Sequence, residues 1–264
     1  MTALLRSEVR KVLSTHLWWL LALVMAAYMG FMAAVLAFGT SAEGGGGPAA
    51  AADDRAMVES IYTIGASLGY VFPLVIGALA MTGEFRHRTI TPTLLAEPRR
   101  GRVLAAKLLV QGGVGAAYGV VGTAATVGVG AAVLLVVGEP TYLDHGGIWV
   151  AIAWSVVALA LWGVVGVGLG TVLPNQIASV VVILAFTQFV EPILRIGLGA
   201  VDALAGVGKF LPGAAAEALI GSSFYSVQGM ADLLDRWQGA LVMLAYVAVF
   251  ALLGRFLTLS RDVT

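Results

Sequence analysis

"LWWLLALVMAAYMGFMAAVLAF", residues 17–38, carries no charged side chain in 22 positions. As a helix rising 1.5 Å per residue it covers about 33 Å, enough to cross the roughly 30 Å of hydrocarbon in a bilayer. Five further stretches read the same way, near 62–82, 103–137, 148–172, 176–198 and 238–258. Only 11% of the chain is charged and 59% is hydrophobic, whereas a soluble domain carries about 25% charge. The expectation is an all-α polytopic membrane protein, one transmembrane domain over residues 1–264 with six spans. The first is expected to be a true span, because its apolar core is longer than the 7 to 15 residues usual for a signal peptide.

Two spans depart from the simple pattern. The third, 103–137, is too long for one upright crossing, so it must tilt or project beyond the membrane. The fifth holds Glu191-Pro192 and Arg195, and Pro192 cannot donate a backbone hydrogen bond, so a break or kink is expected there. Glu191 and Arg195, four residues apart, are expected to form a structural ion pair near the outer surface.

Loop charge sets the orientation. With both termini inside, the inner segments hold Arg6, Arg10, Lys11, Arg86, Arg88, Arg99, Arg100, Arg102, Lys107, Arg255 and Arg261, and the outer ones only Arg55, Arg195, Lys209 and Arg236. Glu43, Asp53, Asp54, Glu59, Glu139 and Asp144 fall among the outer acidic residues. Both termini are therefore expected to be cytoplasmic. Ahead of the first span, residues 1–16 place Leu5, Val9, Val12 and Leu13 on one helical face and Arg6, Arg10 and Lys11 towards the other, as in a helix lying on the membrane surface. Residues 199–236 form a large outer segment with Pro212 and the apolar "AAAEALIG", suited to short helices dipping partway into the outer leaflet.

Several chemistries are absent. No Lys is followed by Ser or Thr, so the phosphate-binding loop is missing. The histidines His16, His87 and His145 are scattered, giving metal hydrolysis no support, and there is no cysteine for disulfide or thiol chemistry. No catalytic residue, metal or nucleic-acid partner is expected. "GASLG", Gly65 to Gly69, matches G-x-S-x-G. It resembles the site of a rhomboid-like intramembrane serine protease, but Ser67 would need a histidine base within reach. A non-transporting membrane scaffold is the blander alternative. Gly115/Gly119 and Gly166/Gly170 have the small-xxx-small spacing that lets helices pack closely. The polar residues assigned to spans, such as Gln111, Thr123, Thr126, Ser155 and Gln188, are uncharged, which argues against coupling to an ion gradient.

The least typical passage is "GEFRHRTITPTLLAEPRRGR", residues 83–102, a cytoplasmic loop between spans two and three. Pro92 and Pro98 bracket Thr93-Leu94-Leu95-Ala96-Glu97, which reads as a short helix with an apolar tip and a basic flank, a plausible peg for another protein's groove. Here the chain resembles the permease subunits of ABC transporters of the type 2 exporter class. Glu84-Phe85-Arg86-His87, Thr89-Ile90, Pro92-Thr93-Leu94-Leu95, Pro98-Arg99 and Lys107-Leu108 carry the likeness. Glu8, Lys11 and Trp18-Trp19 at the amphipathic start and "LGTVLPNQ" (169–176) add to it. Arg88 departs from it, standing where many relatives carry glycine.

The resemblance implies that Glu84, Phe85, Arg86, Thr93, Leu94, Leu95, Arg99 and Arg100 belong to a coupling helix docking on a separate ATP-binding cassette subunit. Leu94 and Leu95 are expected to enter its groove, with Glu84 paired to Arg86, Arg88 or the partner. ATP and Mg would then sit on that partner, with no cofactor on this chain. A second permease subunit, identical or paralogous, would complete the path, with the outer segment as re-entrant helices. A bacterial cytoplasmic membrane and a lipophilic or amphipathic cargo (a drug, a peptide antibiotic or a lipid) are the matching expectations.

Overall fold

A computed structural model describes residues 1–42, 50–201, 204–222, 226, 233–254 and 256. Glu43, Asp232, Arg255, Arg261 and most of the Gly-rich linker lie outside them, as does the side chain of Asp53. The regular structure of the described residues is helical, without a strand. In chain order the helices are α1 (Thr2–Leu13), α2 (Leu17–Ala42), α3 (Ala50–Leu68), α4 (Val71–Arg86), α5 (Ile90–Ala96), α6 (Arg100–Val137) and α7 (Gly146–Val172). There follow α8 (Gln176–Ala185), a π-helical turn (Phe186–Val190), α9 (Glu191–Gly199), α10 (Ala205–Gly208), α11 (Pro212–Ile220) and α12 (Arg236–Gly254).

Among the described residues, six stretches are long and apolar enough to cross a membrane: Leu17–Gly39, Asp54–Arg86, Arg100–Val137, Gly146–Val172, Gln176–Gly199 and Arg236–Gly254. The second begins eight residues before the expected 62–82, because Asp54, Arg55 and Glu59 hide its first turns from a search for apolar runs. It is broken at Gly69-Tyr70, where α3 hands over to α4. The third is one unbroken helix of 38 residues, about 57 Å long, so it does extend beyond the hydrocarbon. In the fifth, the wider π turn ends just before Glu191-Pro192; the widening accommodates the carbonyl that Pro192 cannot bond. Asn175 caps α8, its Oδ1 accepting from the Ala178 N–H at 3.1 Å.

Helix α7 is the centre of the bundle, packed against α6, α4, α12 and α11. Glycine makes the closest of these approaches possible. A Cβ on Gly115 would lie 2.7 Å from the Leu159 carbonyl oxygen, and one on Gly119 would lie 2.9 Å from the Val156 Cα, so both seat α6 on α7. On the other side of α7, a Cβ on Gly170 would lie 2.9 Å from the Ala78 Cα, and one on Gly166 would strike the Leu74 carbonyl oxygen of α4. Inside a bilayer such contacts stabilise through dispersion and shape, since lipid is as apolar as the side chains it replaces.

Helix α4 stops in a Schellman motif. The Thr89 N–H donates to the Glu84 carbonyl at 2.9 Å and the Arg88 N–H to the Phe85 carbonyl at 3.2 Å. The motif needs a left-handed residue at its turn, and Arg88 takes that role with φ +55°. A side chain there costs roughly 1 kcal/mol relative to glycine. Arg88→Gly is therefore expected to raise the thermal midpoint by a few degrees, and a lower midpoint in a melting scan of the purified protein would count against this reading.

Candidate functional site

The end of the bundle that carries α1 and α5 holds a compact ion cluster built from three helices. Glu8 and Lys11 come from α1, Glu84 from the last turn of α4 and Lys107 from the second turn of α6. Lys107 Nζ donates to Glu84 Oε1 at 2.6 Å, to Glu8 Oε2 at 2.8 Å and to the Ala80 carbonyl at 3.1 Å. An ammonium has three donors, and all three are used. Lys11 Nζ donates to Glu8 Oε1 and to Glu84 Oε1, each at 2.6 Å, and reaches Thr93 Oγ1 of α5 at 3.5 Å. Two carboxylates and two ammoniums thus neutralise one another. Lys107 is 1% exposed, Glu8 4% and Glu84 5%, so removing any one member leaves uncompensated charge in a low-dielectric setting.

This corrects two expectations. Glu84 pairs with Lys11 and Lys107, not with Arg86 or Arg88. Lys11 is not on a solvated face; it is half-buried against Glu84. Burial opposes its charge, but the hydrogen bonds and charges of Glu8 and Glu84 outweigh that and hold its pKa above the ordinary lysine value. The helix expected over residues 1–16 spans Thr2–Leu13, with Arg6 and Arg10 exposed and Glu8 as its buried residue.

Helix α5 hangs from this cluster. Its first residue, Ile90, is buried and packs with Met81, Leu104 and Val167, joined at the edge by Phe85, Leu94 and Leu108. Leu94 therefore faces inward, while Leu95 is 78% exposed. Successive helical residues point about 100° apart, so the two leucines cannot share one outward face. Of the basic flank, Arg86 and Arg99 are exposed and Arg100 is half-buried. Arg86 Nη1 donates to Gln176 Oε1 at 3.3 Å, linking the loop to the start of α8. Arg102 lies 3.6 Å from Glu97 across the turn between α5 and α6.

A second ion network lies at the other end. Arg195 Nη2 meets Glu191 Oε1 at 3.0 Å, the pair expected from sequence, and Arg195 Nη1 meets Glu217 Oε2 at 2.8 Å. The Gly213 N–H donates to Glu191 Oε1 at 2.6 Å and the Tyr70 hydroxyl to Glu191 Oε2 at 3.3 Å. Glu191, Glu217 and Arg195 are all buried. The network pins α11, buried along its whole length, to α9 and to the break before α4. Glu217 and Tyr70 were not anticipated. The one signal was Glu217 standing alone in "AAAEALIG", a charge needing a partner.

Ser67 of "GASLG" sits inside α3, not on a strained turn, and among the described residues none of its hydrogen bonds goes to a histidine; His145 Nδ1 faces Asp144 instead. Among the described residues no three His, Cys, Asp or Glu side chains are placed to hold a metal.

No curated protein matches the chain. The family described as "ABC-2 family transporter protein" matches residues 2–263, nearly the full length. With six helices able to cross a membrane, the chain belongs to the ABC-2 transporter family, as a multi-pass membrane permease component.

Proposed function

We propose that this chain is the permease subunit of an ATP-driven exporter of a bacterial cytoplasmic membrane, working as a pair with a second permease subunit and docking on a separate ATP-binding cassette subunit through α5. The observation that carries this reading is the brace under α5: an exposed Leu95 on a seven-residue helix, fixed by packing to α4 and α6 and joined through Lys11 and Glu84 to α1. A peg transmits force only if its base is rigid, and buried ion pairs with every ammonium proton satisfied provide that base. Both termini and α5 are cytoplasmic on the loop-charge argument. ATP binding would favour one of two packings of the spans, and the α1–α4–α6 brace would carry the movement inward. The cargo is lipophilic or amphipathic, in keeping with the large apolar residues, such as Leu109, Val120, Val181 and Phe189, that the spans expose.

Leu95→Asp tests the docking role without disturbing the fold, because the side chain touches little of its own chain. The expected outcome is normal membrane level and melting behaviour, with at least tenfold less ATPase subunit co-purifying in mild detergent. Unchanged co-purification would remove α5 from the interface.

A further inference from the structure

An apolar cavity of about 650 Å³ lies between α1, α2 and α6. Val9 and Leu13 of α1, both exposed, form one wall, with Trp18 of α2 beside them. The facing wall is a row on α6, Leu109, Gly113, Ala117 and Val121, each four residues on from the last and each exposed. From Leu109 to Val121 the row covers about 18 Å at helical rise, against about 15 Å for half of a bilayer's hydrocarbon. The one hydroxyl in the lining, that of Tyr118, donates to the Trp18 carbonyl at 2.5 Å. An occupant of this cavity is therefore apolar and about one leaflet long.

Positive charge stands at one end of it. Glu8 of α1 is bonded to Lys107, two residues before Leu109, so Arg6 and Arg10, on either side of Glu8, stand level with the Leu109 end. Val9 follows Arg6 by three residues and Leu13 follows Arg10 by three, the spacing of helical neighbours, so each arginine borders the apolar wall. Both are exposed and line one surface hollow together with Ser7. Among the described residues neither forms an ion pair.

We propose that this cavity holds one acyl chain of an anionic phospholipid of the cytoplasmic leaflet, its phosphate bonded by Arg6 and Arg10 and its chain lying along Leu109 to Val121. Guanidinium groups match phosphate oxygens in bidentate pairs, and two of them at a membrane surface favour a lipid of net negative charge over a zwitterionic one. A second copy seated through the same face would instead bring four arginines together. The site requires α1 to lie along the membrane surface; it does not require the exporter reading.

The test uses the full chain in phosphatidylcholine nanodiscs assembled with rising fractions of dibrominated phosphatidylglycerol or dibrominated phosphatidylcholine. Bromine on an acyl chain quenches only a neighbouring indole, and Trp18 lines the cavity. Brominated phosphatidylglycerol is expected to quench saturably, at a mole fraction at least tenfold below that needed for the choline lipid. Trp18→Phe is expected to remove the saturable phase, assigning it to one of the chain's six tryptophans. Arg6→Gln combined with Arg10→Gln is expected to remove the tenfold preference with an unchanged melting temperature. Gly113→Leu is expected to abolish the saturable phase although both arginines remain; an added Cβ there meets nothing within 4 Å, so the side chain enters the cavity without striking the protein. Equal quenching by the two lipids, a preference that survives loss of both arginines, or a saturable phase that survives Trp18→Phe or Gly113→Leu would overturn the proposal. No ATPase is present in the assay, so such a failure leaves the exporter reading standing, and the absence of an ATPase partner would leave lipid binding intact.

Discussion

Lys107→Met is expected to cost about 3–5 kcal/mol and to lower the melting temperature in detergent by roughly 10 °C. The methionine keeps the volume but removes the ammonium between Glu8 and Glu84, leaving two buried carboxylates to share the half-exposed Lys11. Lys107→Arg should recover little, because a planar fork does not reproduce three donors aimed at Glu8, Glu84 and the Ala80 carbonyl. Lys107→Met combined with Glu84→Gln should regain part of the loss, since one surplus charge is then neutral; such coupling is what a shared network produces. Additive losses in the double variant, measured by fluorescence-detected melting, would show that the four groups do not act as a unit.

Gly166→Ala carries the second large expectation, a loss of about 3 kcal/mol or more from overpacking. The added methyl would strike the Leu74 carbonyl oxygen and approach the Ala78 nitrogen at 3.0 Å. Backbone atoms have no rotamer to yield, so α7 must move off α4. A glycine of α6 provides the opposite sign. Gly128 has nothing within 4 Å of an added Cβ, so Gly128→Ala should stabilise by roughly 0.5–1 kcal/mol through helix propensity alone. Melting temperatures that fall for both variants would mean that loss of glycine itself, and not the α4–α7 contact, governs stability.

How much of this was legible beforehand depends on which interaction fixes each feature. The spans were readable because a bilayer demands long charge-free runs, and Leu17–Gly39 and Gly146–Val172 lie within two residues of the expected limits. The start of the second span was not, because charges in its first turns mask its helical continuity. The glycine spacings gave close approach but not the partner: Gly115 and Gly119 turn to α7, whereas Gly166 and Gly170 turn to α4. The ion cluster was missed altogether. Its bonds join residues 73 and 99 positions apart, and Lys107 was counted as a loop charge setting topology. Its place seven residues into an apolar helix was the available signal, since a charge there needs a partner. In "TLLAE" the leucines read as one tip, and helical geometry separates them.

The chain's lack of cysteine permits a direct test of whether α5 meets an ATP-hydrolysing subunit. Leu95→Cys would be labelled with a benzophenone maleimide in native membranes, irradiated, and the cross-linked polypeptide identified by mass spectrometry. One major adduct is expected, to a polypeptide bearing a phosphate-binding loop. Adducts to lipid alone, or to a protein without that loop, would contradict it.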